Sequence, residues 1–293
     1  MNHTKRTVLV TGANGQLGLS LQQQVAQLPD FPFRLVFLTS QNLNITQKQQ
    51  VEQVFLLHKP FAVINCAAYT QVDKAESEPH LATLVNEQGA MLLATYCRQY
   101  EATLVQISSD FVFNGNANTP YTEEIPVSPI GIYAQTKANA ETLTLQHSPS
   151  AVIVRTSWVY APFGNNFVKT MLRLGAERPQ LNVVFDQTGS PTYAPDLADA
   201  LLQILLHREN LPKQVVFNYA NTGIASWFDL ATETIALAKL NCKVLPILTH
   251  QYPTAAKRPA YSVLDTHKIR TQLGLTIPYW RHSLQKCIRS LLV

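Results

Sequence analysis

Short runs of Val, Ile and Leu alternate along this chain with longer stretches whose apolar residues recur every three or four positions. The short runs are Thr7–Thr11, Arg34–Thr39, Ala62–Asn65, Leu104–Ile107 and Ala151–Arg155. Continuous apolar runs of this length suit strands covered on both faces. The longer stretches are Leu17–Leu28, Gln47–His58 and Leu81–Tyr100, and their spacing predicts helices. The alternation predicts an α/β fold built on a doubly wound parallel sheet. After Arg155 the rhythm loosens. A helix is expected over Asn165–Ala176, a strand over Asn182–Phe185, and a helix over Pro195–His207 that opens on Pro. A strand over Val215–Tyr219 follows, then a helix capped by Ser226 and running to Lys239. A Pro-containing segment, Pro246 to Pro259, precedes a last helix from about His282.

Composition narrows the class. With 293 residues and 46% hydrophobic content, the chain can bury a sizeable core. Its formal charge of +4 is mild and the basic residues are scattered, so nucleic acid is not an expected partner. Cys66, Cys97, Cys242 and Cys287 are far apart and form no Cys-x-x-Cys. Reduced thiols and no zinc site are expected. The apolar run after Lys5 and Arg6 is cut by Gly12, too soon for a signal core. No stretch approaches the length of a membrane span. The expectation is a cytoplasmic protein with no membrane partner.

Two features add chemistry. Strand one runs into Thr11-Gly12-Ala13-Asn14-Gly15-Gln16-Leu17-Gly18, and a helix follows at once. In that context Gly12 permits a tight turn, Gly15 lets backbone approach a pyrophosphate, and Gly18 lets helix and strand pack closely. The helix N-terminus then offers N–H groups to phosphates. The next strand ends Phe37-Leu38-Thr39-Ser40 without the acid that favours NAD, so NADPH is admitted as well as NADH. Thr39 and Ser40 are candidate donors to a 2′-phosphate.

The other feature lies further along. Strand four ends in Ser108-Ser109-Asp110, and Tyr133 and Lys137 follow on one helical face. An ammonium near a phenol favours the phenolate, so the spacing predicts a tyrosine with a lowered pKa. Such a tyrosine exchanges a proton with a substrate oxygen while a hydride moves. Ser109 is favoured over Ser108 as the hydroxyl that holds a carbonyl oxygen. Tyr133, Lys137 and Ser109 are the candidate catalytic residues.

Further stretches make the pattern specific: Val72-Asp73-Lys74-Ala75-Glu76, Arg155 through Tyr160, Gly164 through Met171, Asp186 through Tyr193, and Arg258-Pro259. With these, nearly the whole chain resembles the extended short-chain dehydrogenase/reductase superfamily and, within it, the dTDP-4-dehydrorhamnose reductase family. The resemblance implies a Rossmann-like NAD(P)-binding domain over residues 1–155 and a smaller C-terminal substrate-binding lobe over 156–293. Segments near 195–221 would return to the sheet. It implies reduction of the C4 ketone of dTDP-4-dehydro-L-rhamnose by NADPH or NADH. It places Gly12, Asn14, Gly15, Gln16, Leu17 and Gly18 at the pyrophosphate, Thr39, Asn44 and Ile45 at the adenosine end, and Ala67, Ala68 and Thr70 toward the nicotinamide. Ser109, Asp110 and Trp158 would meet the sugar. Ser20 and Pro195 stand where some relatives place magnesium-binding glutamates, so no metal is expected. The resemblance admits a homodimer. Two other readings accompany it: a different sugar-nucleotide reductase or epimerase, and a non-catalytic subunit like the regulatory chain of methionine adenosyltransferase.

Overall fold

The computed structural model describes residues 5–292. Its first half runs β1 (Arg6–Thr11), α1 (Gln16–Ala26), β2 (Phe33–Leu38), α2 (Lys48–His58), β3 (Ala62–Asn65) and α3 (Val72–Ser77). Then come α4 (Pro79–Thr83), α5 (Gly89–Gln99), β4 (Thr103–Ser109), α6 (Ile132–His147) and β5 (Ala151–Thr156). The second half has β6 (Val159–Tyr160), α7 (Phe167–Glu177), β7 (Gln180–Val184), β8 (Thr188–Gly189), β9 (Thr192–Tyr193) and α8 (Ala194–His207). It closes with β10 (Gln214–Tyr219), β11 (Ala225–Ser226), α9 (Trp227–Leu237), β12 (Lys243–Ile247), α10 (His267–Leu273) and α11 (Trp280–Leu292).

The apolar runs become strands because helices cover both their faces. Val8 and Val10 pack with Leu21, Leu197 and Leu201 on one side of the sheet. Leu9, between them, packs with Val51, Phe55 and Leu93 on the other. Six parallel strands result, in the order β2-β1-β3-β4-β5-β10. This is the doubly wound α/β sheet the pattern predicts. The chain leaves β1 toward β2 and then crosses back to β3. The crevice beyond the carboxyl ends of β1 and β3 is therefore the topological switch point, where open α/β sheets bind ligands.

The sequence after Arg155 does two things. Its α8 packs on α1, and β10 completes the sheet beside β5. Helix α10 joins them on the sheet side, packing against β10 and α8, and the other segments build a lobe of short two-stranded sheets and helices over the switch point. Ser226 caps α9 as expected, in a reciprocal box with Asp229. Pro246 sits inside β12, which pairs only with β7, so its missing N–H leaves no ladder broken. The last helix begins at Trp280, two residues ahead of its expected start. No helix among the described residues is long and apolar enough to cross a membrane.

One expected helix differs. Leu81–Tyr100 is not continuous: α4 and α5 are joined by a π-helical turn, Leu84–Gln88. The extra residue turns the Asn86 side chain toward the loop after β3. There its Oδ1 accepts from the Tyr69 N–H at 2.8 Å, and its Nδ2 donates to the Tyr69 carbonyl and to the Thr136 hydroxyl. Buried Asn86 thus ties the β3 loop to α6.

Candidate active site

A cleft of about 940 Å³ opens at the switch point, in the range of cofactor and small-molecule pockets. Its floor is the glycine turn. Gly12 has φ +64°, and a Cβ there would lie 2.7 Å from the backbone of Cys66 and Ala67. A Cβ on Gly18 would lie 2.5 Å from the Gly12 carbonyl oxygen. Gly15 caps α1 without a side chain, so no side chain covers the first-turn N–H groups. Bare N–H groups and glycine clearance are what a pyrophosphate needs, and the cradle fits a dinucleotide.

Gly12, Asn14, Gly15, Gln16, Leu17 and Gly18 all line this floor. Asn44 and Ile45 line the cleft beyond the end of β2, and Ala67, Ala68 and Thr70 line it after β3. Thr39 is placed differently. It lies outside the lining, and its hydroxyl is turned onto Asn42 Oδ1 at 2.8 Å within its own turn. Ser40 faces the cleft in its place. Among the described residues, no carboxylate lines this end of the cleft.

At the other end, strand alternation separates the two serines. Ser108 donates to Glu141 Oε1 at 2.5 Å, beneath a buried ion pair in which Arg155 Nη2 lies 2.7 Å from Glu141 Oε2. Ser109 points into the cleft, where it donates to Asp110 Oδ1 at 2.9 Å and also meets the Tyr133 phenol. Ser109 is therefore the hydroxyl beside the phenol. Lys137 is buried one turn beyond Tyr133, and its Nζ donates to the Ile107 carbonyl at 2.6 Å.

The electrostatics correct one expectation. The Tyr133 pKa is not lowered: burial pushes it up to about 12, with the Ser109 hydroxyl opposing and the Asp110 carboxyl adding. Lys137 moves the opposite way, down to about 8, because burial disfavours its ammonium more than Glu141 and Cys66 favour it. A phenol protonated at neutral pH is the form that gives a proton away. Burial also raises the Asp110 carboxyl to about 6, with the nearby Ser262 hydroxyl and the hydrogen bond from Ser109 opposing.

Several residues hold this wall in place. Gly131 precedes α6 at φ +89°, and Glu76 Oε1 accepts from the Ile132 N–H at 2.8 Å. Asp73, three residues earlier, takes both Nη atoms of Arg258, at 2.6 and 2.7 Å. The Val-Asp-Lys-Ala-Glu stretch is thus a brace, and it brings Arg258 onto the cleft wall. Opposite, Trp158 stacks on Trp227 with ring centroids 3.6 Å apart and planes 7° from parallel. Asn166 caps α7 and donates to Gln16 Oε1 at 2.9 Å, closing the second lobe over the glycine turn.

The sequence offers Ser40 only alongside Thr39. No local pattern gives Trp227, Asn166 or Arg258 a role in the site. Asn166 and Arg258 lie in motifs that marked them without a role, and Trp227 follows a helix cap. Among the described residues, no cluster of three or more His, Cys, Asp or Glu is placed to hold a metal ion.

A parallel dinucleotide-binding sheet with Ser, Tyr and Lys on one wall of its switch-point cleft defines the class of extended short-chain dehydrogenases and reductases. The family model described as the RmlD substrate binding domain matches residues 6–293, and the chain belongs to that family. It is 38% identical to the spore coat polysaccharide biosynthesis protein SpsK of Bacillus subtilis, over 96% of both chains. It is also 38% identical to dTDP-4-dehydrorhamnose reductase of Aggregatibacter actinomycetemcomitans, over 95% of this chain and 97% of that one. Among solved structures it is similar to the Bacillus anthracis dTDP-4-dehydrorhamnose reductase in complex with NADP. The TM-score is 0.92 at 38% identity, covering 98% of this chain and 100% of that one.

Proposed function

We propose that this chain reduces the C4 ketone of dTDP-4-dehydro-L-rhamnose to dTDP-L-rhamnose, using NADPH. The observation that carries the reading is the convergence of Ser109, Tyr133 and Lys137 on one wall of a cleft floored by the glycine turn. Family membership and the names of the full-length relatives support the sugar nucleotide. The relative that binds NADP, and a cleft free of carboxylates at the adenosine end, support NADPH.

The nicotinamide cofactor supplies the hydride. Gly12 through Gly18 hold its pyrophosphate, Ser40, Asn44 and Ile45 its adenosine end, and Lys137 its ribose hydroxyls. Ser109 donates a hydrogen bond to the ketone oxygen. Tyr133, protonated because it is buried, gives that oxygen its proton. Asp110 and Trp158 meet the sugar. In this reading residues 1–155 carry the cofactor and 156–293 the sugar nucleotide, with 195–221 completing the sheet.

The test is direct. The protein, mixed with dTDP-4-dehydro-L-rhamnose, should consume NADPH absorbance in step with product. Oxidation of neither NADPH nor NADH would defeat the reading and favour a binding-only member of the fold. Tyr133→Phe should keep cofactor affinity and lower the rate by roughly 10²–10⁴, the worth of a general acid. An unchanged rate would remove Tyr133 from the mechanism.

A further inference from the structure

Each reduction leaves Tyr133 without its proton, and the phenol lies in a wall where bound ligands shut out water. Asp110 is the one carboxyl among the described residues that line the cleft. It is 2% exposed, with no cation paired to it. Its Oδ1 accepts from Ser109, while its Oδ2 has no hydrogen-bond partner. The nearby Ser262 hydroxyl, equally buried, is also unpartnered. A buried carboxylate with one bare oxygen is costly, and the protonated acid is not. The arrangement is therefore a place to store a proton. The Ser109 Oγ lies between that store and the Tyr133 phenol.

We infer that Asp110 returns to Tyr133, through the Ser109 hydroxyl, the proton spent in each turnover. The inference rests on the reading of Tyr133 as the proton donor. The step balances. The ketone carbon gains the hydride and the ketone oxygen gains the phenol proton, leaving a phenolate. The phenolate oxygen takes the Ser109 hydroxyl proton while Ser109 Oγ takes the Asp110 carboxyl proton. One negative charge thereby moves from phenolate to carboxylate, and water reprotonates Asp110 after product leaves. An acid near 6 giving its proton to the anion of a phenol near 12 runs downhill. The other ionisable groups on this wall are Tyr133 and Lys137 of α6, Cys66 after β3, and Arg258, which Asp73 engages. The Glu141–Arg155 pair lies behind them.

The experiment compares the first turnover with the steady state. In Asp110→Asn, whose lost carboxyl also meets the sugar, both rates are read at saturating sugar nucleotide, and the first turnover, fed by the proton already on Tyr133, should be the less affected of the two. Steady-state kcat should fall roughly ten- to a hundredfold further than the first-turnover rate. Native kcat should decline as pH rises through about 6, and this limb should vanish in Asp110→Asn. A limb that persists in the variant overturns the proposal. So does a first turnover that falls together with kcat, because Asp110 then serves only the sugar or the fold. Ser262→Ala provides a second route: removing a hydroxyl that favours the carboxylate should move the limb to higher pH, and an unmoved limb also counts against the relay. Independently of turnover, the cofactor-free chain should show an infrared band of a protonated carboxyl that titrates near 6 and is absent from Asp110→Asn. A native chain without that band refutes the store. Failure of the Tyr133 reading itself is distinguishable, because Tyr133→Phe would then retain its first turnover.

Discussion

Asp110 carries a stability consequence that can be measured without substrate. Its ordinary pKa of 3.8 is raised to about 6 in the fold, with burial as the largest cause. A group raised on folding contributes stability below its unfolded pKa and loses it as pH rises through the folded one. At about pH 8 the native chain therefore carries a buried charge worth roughly 2–3 kcal/mol. Asp110→Asn should stabilise the cofactor-free protein by that order at about pH 8 and by far less at about pH 4. Thermal unfolding at both values checks it, and an equal gain at both would contradict the raised carboxyl. The gain would show a site that gives up stability for chemistry. Trp158 shows a similar tension. It holds φ +46°, a conformation that costs a large L-residue about 1–2 kcal/mol, and the stack on Trp227 returns about 0.5–1.5 kcal/mol of that. Trp227→Ala should let Trp158 relax away from the sugar, raising KM for the sugar nucleotide about tenfold with NADPH affinity unchanged. Steady-state kinetics beside a cofactor titration separate the two.

The π turn between α4 and α5 tests a whole element. Asn86→Ala would leave the Tyr69 backbone groups and the Thr136 hydroxyl without their buried partner. Each unsatisfied group costs about 1–3 kcal/mol. A loss of about 2–4 kcal/mol in denaturant unfolding is expected, together with weaker cofactor binding, because the freed loop holds Ala67, Ala68 and Thr70. Retained stability would mean that water replaces the amide. Sequence alone gave no sign of this turn. Inserting one residue leaves an apolar stretch apolar, so Leu81–Tyr100 still reads as a single helix. The sheet strands, by contrast, were legible, since burial on both faces writes an unbroken Val/Ile/Leu run into the sequence. The serine pair was half legible. The dipeptide marks the end of β4, but only the position of Glu141 under Ser108 decides which hydroxyl faces the phenol. Helical spacing alone points the Tyr133 pKa downward, because it places an ammonium nearby without saying that both groups are buried.

At the scale of the whole molecule the cleft exists because the chain returns to it. Trp227, Asn166 and Arg258 reach the site only through contacts with residues far off in sequence, which is why no local pattern gave them a role. The Asp73–Arg258 pair is the clearest of these returns, joining residues 185 positions apart. Asp73 is 46% exposed at its side chain and Arg258 23%, so solvent screens the pair and its worth to stability is below about 1 kcal/mol. That magnitude argues for a positional role. The bidentate grip, with a further bond from the Ala256 N–H to Asp73, fixes the segment before α10 against the cleft mouth. Arg258→Lys keeps the charge but loses the fork. The variant should unfold within about 1 kcal/mol of native and bind NADPH normally, because the glycine turn is untouched. It should raise KM for the sugar nucleotide several-fold and speed amide exchange in residues 253–260, whose anchor has slackened. High salt should reproduce part of this in the native chain. If Arg258→Lys instead lost several kcal/mol of stability with KM unchanged, the pair would be a structural rivet and not a positioning contact.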